Sequence, residues 1–205
     1  MTDYITSACK EFEKQTGLRL KPVATPYVAD IPREKLDENL ASPGEHADIA
    51  ASMLMRLLYP GRMAFPVIIL AIQRLAKRVT KWCKECDRRL VRLFEFCLYF
   101  AGHVLQGTIS TDDLDDVELH IYPDGDLCGN IWDSKSTAGL WCELAGRDGR
   151  RWPLNWQSKA EPASAAHTQE TEMVSLSMGI RNDAAPLQIL LASHSAVPSY
   201  CDQSL

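Results

Sequence analysis

The sequence predicts an α+β protein: an N-terminal helical segment followed by a mixed sheet that carries one long helix on its face. Three patterns lead there. Over 45–103 apolar residues recur at helical spacing, from residue 119 the spacing falls to about two residues, and from Thr168 the helical period returns.

Residues 1–17 read as a short amphipathic helix, with Tyr4, Ile5, Ala8 and Phe12 on one side, Lys10, Glu11 and Glu13 on the other, and Gly17 ending it. The run Lys21-Pro22-Val23-Ala24-Thr25-Pro26 is extended, because each proline biases its predecessor away from helix. The polar, proline-punctuated stretch 27–44 reads as a loop. A helix over 45–59 follows, with Ala50, Met53, Leu54, Leu57 and Leu58 inward, and Pro60-Gly61 is expected to stop it. A second helix covers 65–80, with Pro66 near its start, where a missing N–H costs little. The third, over 84–103, has a core stripe of Leu90, Leu93, Phe94, Cys97, Leu98 and Ala101 and places Arg88, Arg89 and Arg92 outside.

The acidic run 111–118 predicts a solvated linker and a domain boundary. Beyond it, alternation puts His120, Tyr122, Asp124 and Asp126 on one face of a strand. Two further strand-like runs, 136–144 and 152–157, flank the turn-forming Gly146-Arg147-Asp148-Gly149. Thr168 is the predicted N-cap of the last helix, with Glu170 and Glu172 in its first turns and Met173, Leu176 and Ile180 inward. A strand ending in carboxylates and a helix beginning with them gather negative charge, as a divalent-metal site requires.

At 205 residues, 46% hydrophobic and 24% charged, the chain has the composition of a soluble globular protein. Asp3, Lys10, Glu11 and Glu13 stand where a signal peptide needs an apolar run, so no export is expected. The most apolar stretch, 63–72, falls short of the roughly 20 residues that span a bilayer. Seven scattered cysteines fit reduced thiols in an intracellular compartment, cytoplasmic or nuclear. Cys83-Lys84-Glu85-Cys86 is the one pair at metal-like spacing; lacking a second pair, it reads as two incidental helix cysteines ahead of zinc or redox chemistry. The five histidines sit in no recognisable nucleophile context. The net charge of −5 conceals −3 over 1–50, +7 over 51–110 and −9 over 111–205. Nucleic acid therefore suits the basic middle, with Arg88, Arg89 and Arg92 as candidate phosphate contacts, while the acidic end repels phosphate unless metal ions mediate.

Four motifs in order carry a family resemblance: Tyr-x-Asp-x-Asp-x-x-Gly from Tyr122, Lys-Ser-Thr-x-Gly from Lys135, Trp-x-Ser-Lys from Trp156, and Thr-x-Glu-x-Glu from Thr168. Together they resemble the ribonuclease H domain of copia-type retrotransposon polyproteins. The first helix with Lys-Pro-Val-x-Thr-Pro is similar to the thumb-like end of the family's reverse transcriptase. Leu57-Leu58-Tyr59-x-x-Arg62 and Val79-Thr80-Lys81-Trp82 resemble its connection region, although Met63-Ala64-Phe65-Pro66 replaces the family's proline and aspartate. The resemblance implies a thumb-like helix and linker at 1–44, a helical connection at 45–110 and a truncated, incomplete ribonuclease H-like sheet at 117–205.

It also implies a chemistry. Two magnesium (or manganese) ions would be held by Asp124 on the first strand, Glu172 on the helix and Asp202 on the strand after it, with Asp126 and Glu170 as adjacent acids. The expected partner is an RNA–DNA hybrid or another nucleic acid, bound weakly, with no membrane and no small-molecule cofactor. Pro123 stands where the family has a small polar residue, and a proline in a central strand removes a ladder hydrogen bond. The family's fourth acid and later elements have no counterpart before Leu205, and the paired-aspartate polymerase motif is absent. The expectation is therefore a ribonuclease H-like unit with little or no hydrolysis; the alternative is a non-catalytic nucleic-acid-binding or structural remnant of a decayed element.

Overall fold

In the computed structural model the chain divides into two units, Met1–Leu105 and Gln106–Leu205. It describes all residues except 30, 104, 114–115, 130–131, 133–134, 162–164, 193–198 and 202–205.

The first unit is helical: α1 Thr2–Thr16, α2 Arg33–Ala41, α3 Ala47–Met63, α4 Ile69–Ala76 and α5 Lys84–Phe100. α1 packs on α3 and α5, so residues 1–44 share one core with the middle helices. Phe12, Met53, Leu54, Leu57, Leu90, Leu93 and Phe94 are all fully buried in it. Phe12 stacks on Phe94 with ring centroids 4.2 Å apart. α1 ends as expected, with Gly17 at φ 71° donating its N–H to the Glu13 carbonyl.

Two expectations fail here. α2 forms inside the stretch read as a loop, and its Asn39 is buried and donates to Glu85 of α5 (3.3 Å). α3 runs through Pro60 and Gly61 instead of stopping at them. Both are buried, and a Cβ on Gly61 would lie 3.1 Å from the Ile69 side chain, so the glycine serves close packing of α3 on the chain that follows. The span expected as one helix over 65–80 is α4 with a 3-10 turn on either side, Pro66–Ile68 and Val79–Lys81.

The second unit is a mixed sheet with helices, as the sequence predicts: β1 Glu118–Asp126, β2 Thr137–Ala145, β3 Arg151–Ala160 and β4 Ser199–Cys201 in the order β3-β2-β1-β4. β1, β2 and β3 are successively antiparallel; β4 runs parallel to β1. Between β3 and β4, α6 Thr168–Gly179 continues through the π-helical turn Ile180–Ala184 into α7 Ala185–Ala192. The core is Leu119, Ile121, Leu140, Cys142 and Ala184, flanked by Leu144, Leu154, Leu187 and Leu191.

Pro123 stays within β1, opposite Leu140. β4 pairs with β1 at Leu119–Ile121, so no described strand adjoins the proline on that side. The acidic run is only in part a solvated linker: among its described residues Thr111, Asp112 and Asp116 are exposed, but Asp113 and Val117 are buried. Thr111–Asp113 forms a 3-10 turn of the second unit, and Asp113 is fully buried. Its carboxylate accepts from Arg150 Nε (2.7 Å) and Nη2 (2.8 Å) and from the N–H groups of Ser110 (2.8 Å) and Arg147 (3.0 Å). Those bonds, Arg150's first, hold its pKa down at about 2. Among the described residues no helix is long and apolar enough to cross a membrane.

Candidate metal and nucleic-acid site

Alternation along β1 buries Leu119 and Ile121 on one face, and on the other leaves Tyr122, Asp124 and Asp126 exposed and His120 half-buried. Asp124 lies opposite Gly139, and among the described residues its carboxylate makes no hydrogen bond or ion pair. Asp126 occupies the space where a Cβ on Gly129 would sit, which accounts for the glycine at that place in the motif.

α6 reaches this end of β1 through a close approach. A Cβ on Gly125 would lie 2.6 Å from Thr171 Cγ2 and 2.9 Å from the Thr171 carbonyl, so only glycine lets the helix seat there. Thr171 stands between Glu170 and Glu172, and Gly125 between Asp124 and Asp126. The two acidic pairs are thereby carried on touching backbone segments, but strand alternation turns Asp124 and Asp126 to the face opposite α6. Glu172 is half-buried. Glu170 is engaged in the helix start: its carboxylate accepts from the Ala166 N–H (2.7 Å) while its own N–H donates to His167 Nδ1 (3.2 Å). His167, not Thr168, is the N-cap.

The inward face of α6 also differs from expectation. Met173 and Ile180 are exposed, and Thr171, Ser175 and Gly179 are buried at intervals of one turn. Small residues let the helix lie close on the sheet, and a Cβ on Gly179 would stand 3.0 Å from Leu140. This seating buries Glu161, just past β3, whose Oε1 accepts from the Ser175 hydroxyl (3.3 Å). Glu161 Oε2 and Thr171 Oγ1 are buried with no partner among the described residues. Burial, with a smaller contribution from Glu170, pushes the Glu161 pKa up.

The open face carries a polar network that the sequence reading missed. Glu143 accepts from Trp141 Nε1 (2.7 Å) and the Tyr122 hydroxyl (3.3 Å) and pairs with Arg151 (3.2 Å). His120 lies between Glu118 (2.9 Å) and Tyr122 (3.2 Å), and Trp141 stacks on Trp156 at 5.5 Å. Strand pairing of Tyr122 with Trp141 and of Trp141 with Trp156 was the available signal.

The chain matches no family model, no curated protein and no solved structure.

Among the described residues no three His, Cys, Asp or Glu side chains gather closely enough to hold a metal ion. Asp202, the third expected ligand, lies outside the described residues. The three arginines belong to the first unit and donate within it. Arg88 forks onto Glu85 (2.8 and 2.9 Å) and reaches the Ala29 carbonyl (3.2 Å). Arg89 Nε joins the same carboxylate (2.8 Å), and Arg92 bonds the Thr25 carbonyl (2.9 Å) and hydroxyl (2.8 Å). Glu85 is fully buried. Desolvation pushes its pKa up, but Arg88, Arg89 and Asn39 outweigh it and hold the carboxyl below its ordinary range. The sequence signal for this anchor was the spacing of an acid three and four residues before two arginines.

Proposed function

We propose that the second unit is a ribonuclease H-like domain of a copia-type retrotransposon polyprotein. In this reading Asp124 and Glu172, joined by Asp202, hold magnesium or manganese against the RNA strand of an RNA–DNA hybrid, with little or no turnover. The observation that carries the reading is the seating of Thr171 on Gly125, which sets the backbone of the acid-bearing end of β1 against that of the acid-bearing start of α6, with Asp124 on the strand face opposite the helix. The mixed sheet with a helix across it and a returning parallel strand supports it as well.

The donor chemistry fits a hard divalent ion, since carboxylate oxygens are what such ions select. Asp124 faces solvent on the open side of the sheet and forms no competing bond among the described residues; Glu172, half-buried, stands on the helix that covers the other side, so a shared ion requires the two side chains to meet around the end of β1. A bound ion would supply an activated water and charge neutralisation at the phosphodiester. Low turnover follows from the ligand count, because Glu170 is committed to the helix start and no described third acid joins the pair.

A second reading, a non-catalytic structural remnant, is favoured by the commitment of Arg88, Arg89 and Arg92 to contacts inside the first unit. One experiment separates the two. With manganese and a hybrid labelled in its RNA strand, the proposed site gives slow cleavage that Glu172→Gln and Asp124→Asn each reduce by at least about a hundredfold, the usual scale for losing a group that stabilises developing charge. Cleavage equal in wild type and both variants, or manganese binding heats that Asp124→Asn leaves unchanged, sinks the metal site.

A further inference from the structure

Cys83 is the N-cap of α5, with extended backbone (φ −138°, ψ 170°), and Cys86 lies in the first turn. A side chain at the N-cap points toward the residue three positions on, and here that geometry brings the two sulfurs to 3.4 Å. Both are buried, and the Cys86 N–H donates to the Cys83 carbonyl (2.9 Å). Closing to a disulfide of about 2.05 Å requires a sulfur shift of little more than an ångström, and Cys83, outside the helical backbone, has the side-chain freedom to make it.

The surroundings fasten this turn to the chain before α3. Pro43 pairs with Cys83, the Lys84 N–H donates to the Ser42 carbonyl (3.0 Å), and Asp87 accepts from the N–H groups of Glu45 (2.6 Å) and His46 (3.2 Å) and from Trp82 Nε1 (2.6 Å). Gly44 lies so close to Trp82 and Cys83 that a Cβ there would stand 2.5 Å from the indole and 2.8 Å from the Cys83 carbonyl. With no third metal-ligating group gathered among the described residues, two adjoining thiols at a helix start are suited to redox chemistry and not to zinc.

We propose that Cys83 and Cys86 are an oxidisable dithiol that a small hydroperoxide converts to a disulfide across the first turn of α5. The Cys83 thiolate attacks the peroxide, an S–O bond forms as O–O breaks, and the departing oxygen takes a proton and leaves as water or alcohol. Cys86 then attacks the Cys83 sulfenic sulfur; the S–S bond forms, S–O breaks, and hydroxide leaves with the Cys86 proton as water. Cys83, at the N-cap outside the helical backbone, is the attacking sulfur, and desolvation raises the Cys86 pKa and leaves that thiol as the resolving partner. Reaction waits on local opening of the 42–46 segment, so it is slower than at the exposed Cys128.

The test uses the full chain, treated with hydrogen peroxide, blocked with an alkylating agent and digested with trypsin. Cleavage after Lys84 leaves Cys83 and Cys86 on separate peptides, so the bridge is read as the peptide ending at Lys84 joined to the one ending at Arg88. That linked pair is expected in wild type, is lost on reduction with dithiothreitol, and is absent from Cys83→Ser, which keeps the fold because serine is a good N-cap. Cys86→Ser is expected to leave Cys83 as a sulfenic acid that dimedone captures. The proposal is overturned if wild type yields no linked pair while Cys128 is oxidised, or if the bridge joins Cys9 to Cys97 instead.

Discussion

The two units bury different material. In the helical unit, long apolar side chains meet across helices, with Phe12 on Phe94 at the centre. In the sheet unit the helix that covers the strands buries Thr171, Ser175 and Gly179, and two carboxylates, Asp113 and Glu161, go inside with them. The first arrangement draws its stability chiefly from apolar area, and the carboxylate it buries, Glu85, is partnered by Arg88, Arg89 and Asn39. The second depends on close backbone approach and on whether each buried polar atom finds a partner.

The comparison is most directly broken in the helical unit. Phe94→Ala removes a fully buried ring and should cost about 3–5 kcal/mol, read as a fall in urea midpoint and as faster amide exchange confined to residues 1–105. A loss below about 1 kcal/mol would mean that this core is loosely packed.

Next in size is Gly125→Ala, a change of one methyl group. The new Cβ meets Thr171 backbone, which cannot swing aside as a side-chain tip can, so a loss of about 1–3 kcal/mol is expected. The same substitution at Gly139, where the nearest atoms stand 3.7 and 3.8 Å away, should cost far less and serves as the control.

Asp113 and Glu161 sharpen the contrast through pH. The folded state holds Asp113's proton less tightly than the unfolded chain does, so its contribution is present above about pH 4 and is lost as pH falls through about 2. Glu161 has the opposite sign: its pKa is raised, so stability is greatest below the ordinary glutamate range and declines as pH rises through the folded value. Thermal midpoints across pH 2–8 should therefore fall on the acid side in wild type, and Glu161→Gln should flatten the decline on the neutral side without changing the acid limb. An unchanged neutral limb would show that Glu161 is paired in solution.

The smallest effect belongs to Thr171→Val. It exchanges a buried hydroxyl that has no partner among the described residues for a methyl of the same shape, and is expected to be neutral or stabilising by up to about 1 kcal/mol in thermal unfolding. A clear destabilisation would place an ordered water at that oxygen.

What the sequence made legible follows the same division. β1, β2 and α5 could be read because hydropathy alternates along them with the period of the structure they adopt. The inward face of α6 could not, because threonine, serine and glycine carry no hydropathy signal, while Met173 and Ile180 carry a strong one and face solvent. α2 was hidden by its polar composition and becomes a helix through the tertiary bond from Asn39 to Glu85. Pro60 misled because proline's cost to a helix is local, and burial in α3 offsets it. For the site, order along the chain located Asp124 and Glu172 on adjoining elements; the acid three and four positions before Arg88 and Arg89 was the missed signal for their anchor, whereas no local pattern pointed Arg92 to Thr25, 67 positions away.

The pairing of β4 with β1 has a kinetic consequence. The β1-β2-β3 meander joins neighbours through short connections, whereas Ser199 meets Leu119 only after the chain has travelled roughly 80 positions, through α6 and α7. Closing so long a loop is entropically expensive until the helix has settled on the sheet. The meander should thus assemble early and the parallel edge last, so that a nascent chain emerging from the ribosome would expose the free side of β1 until β4 had emerged.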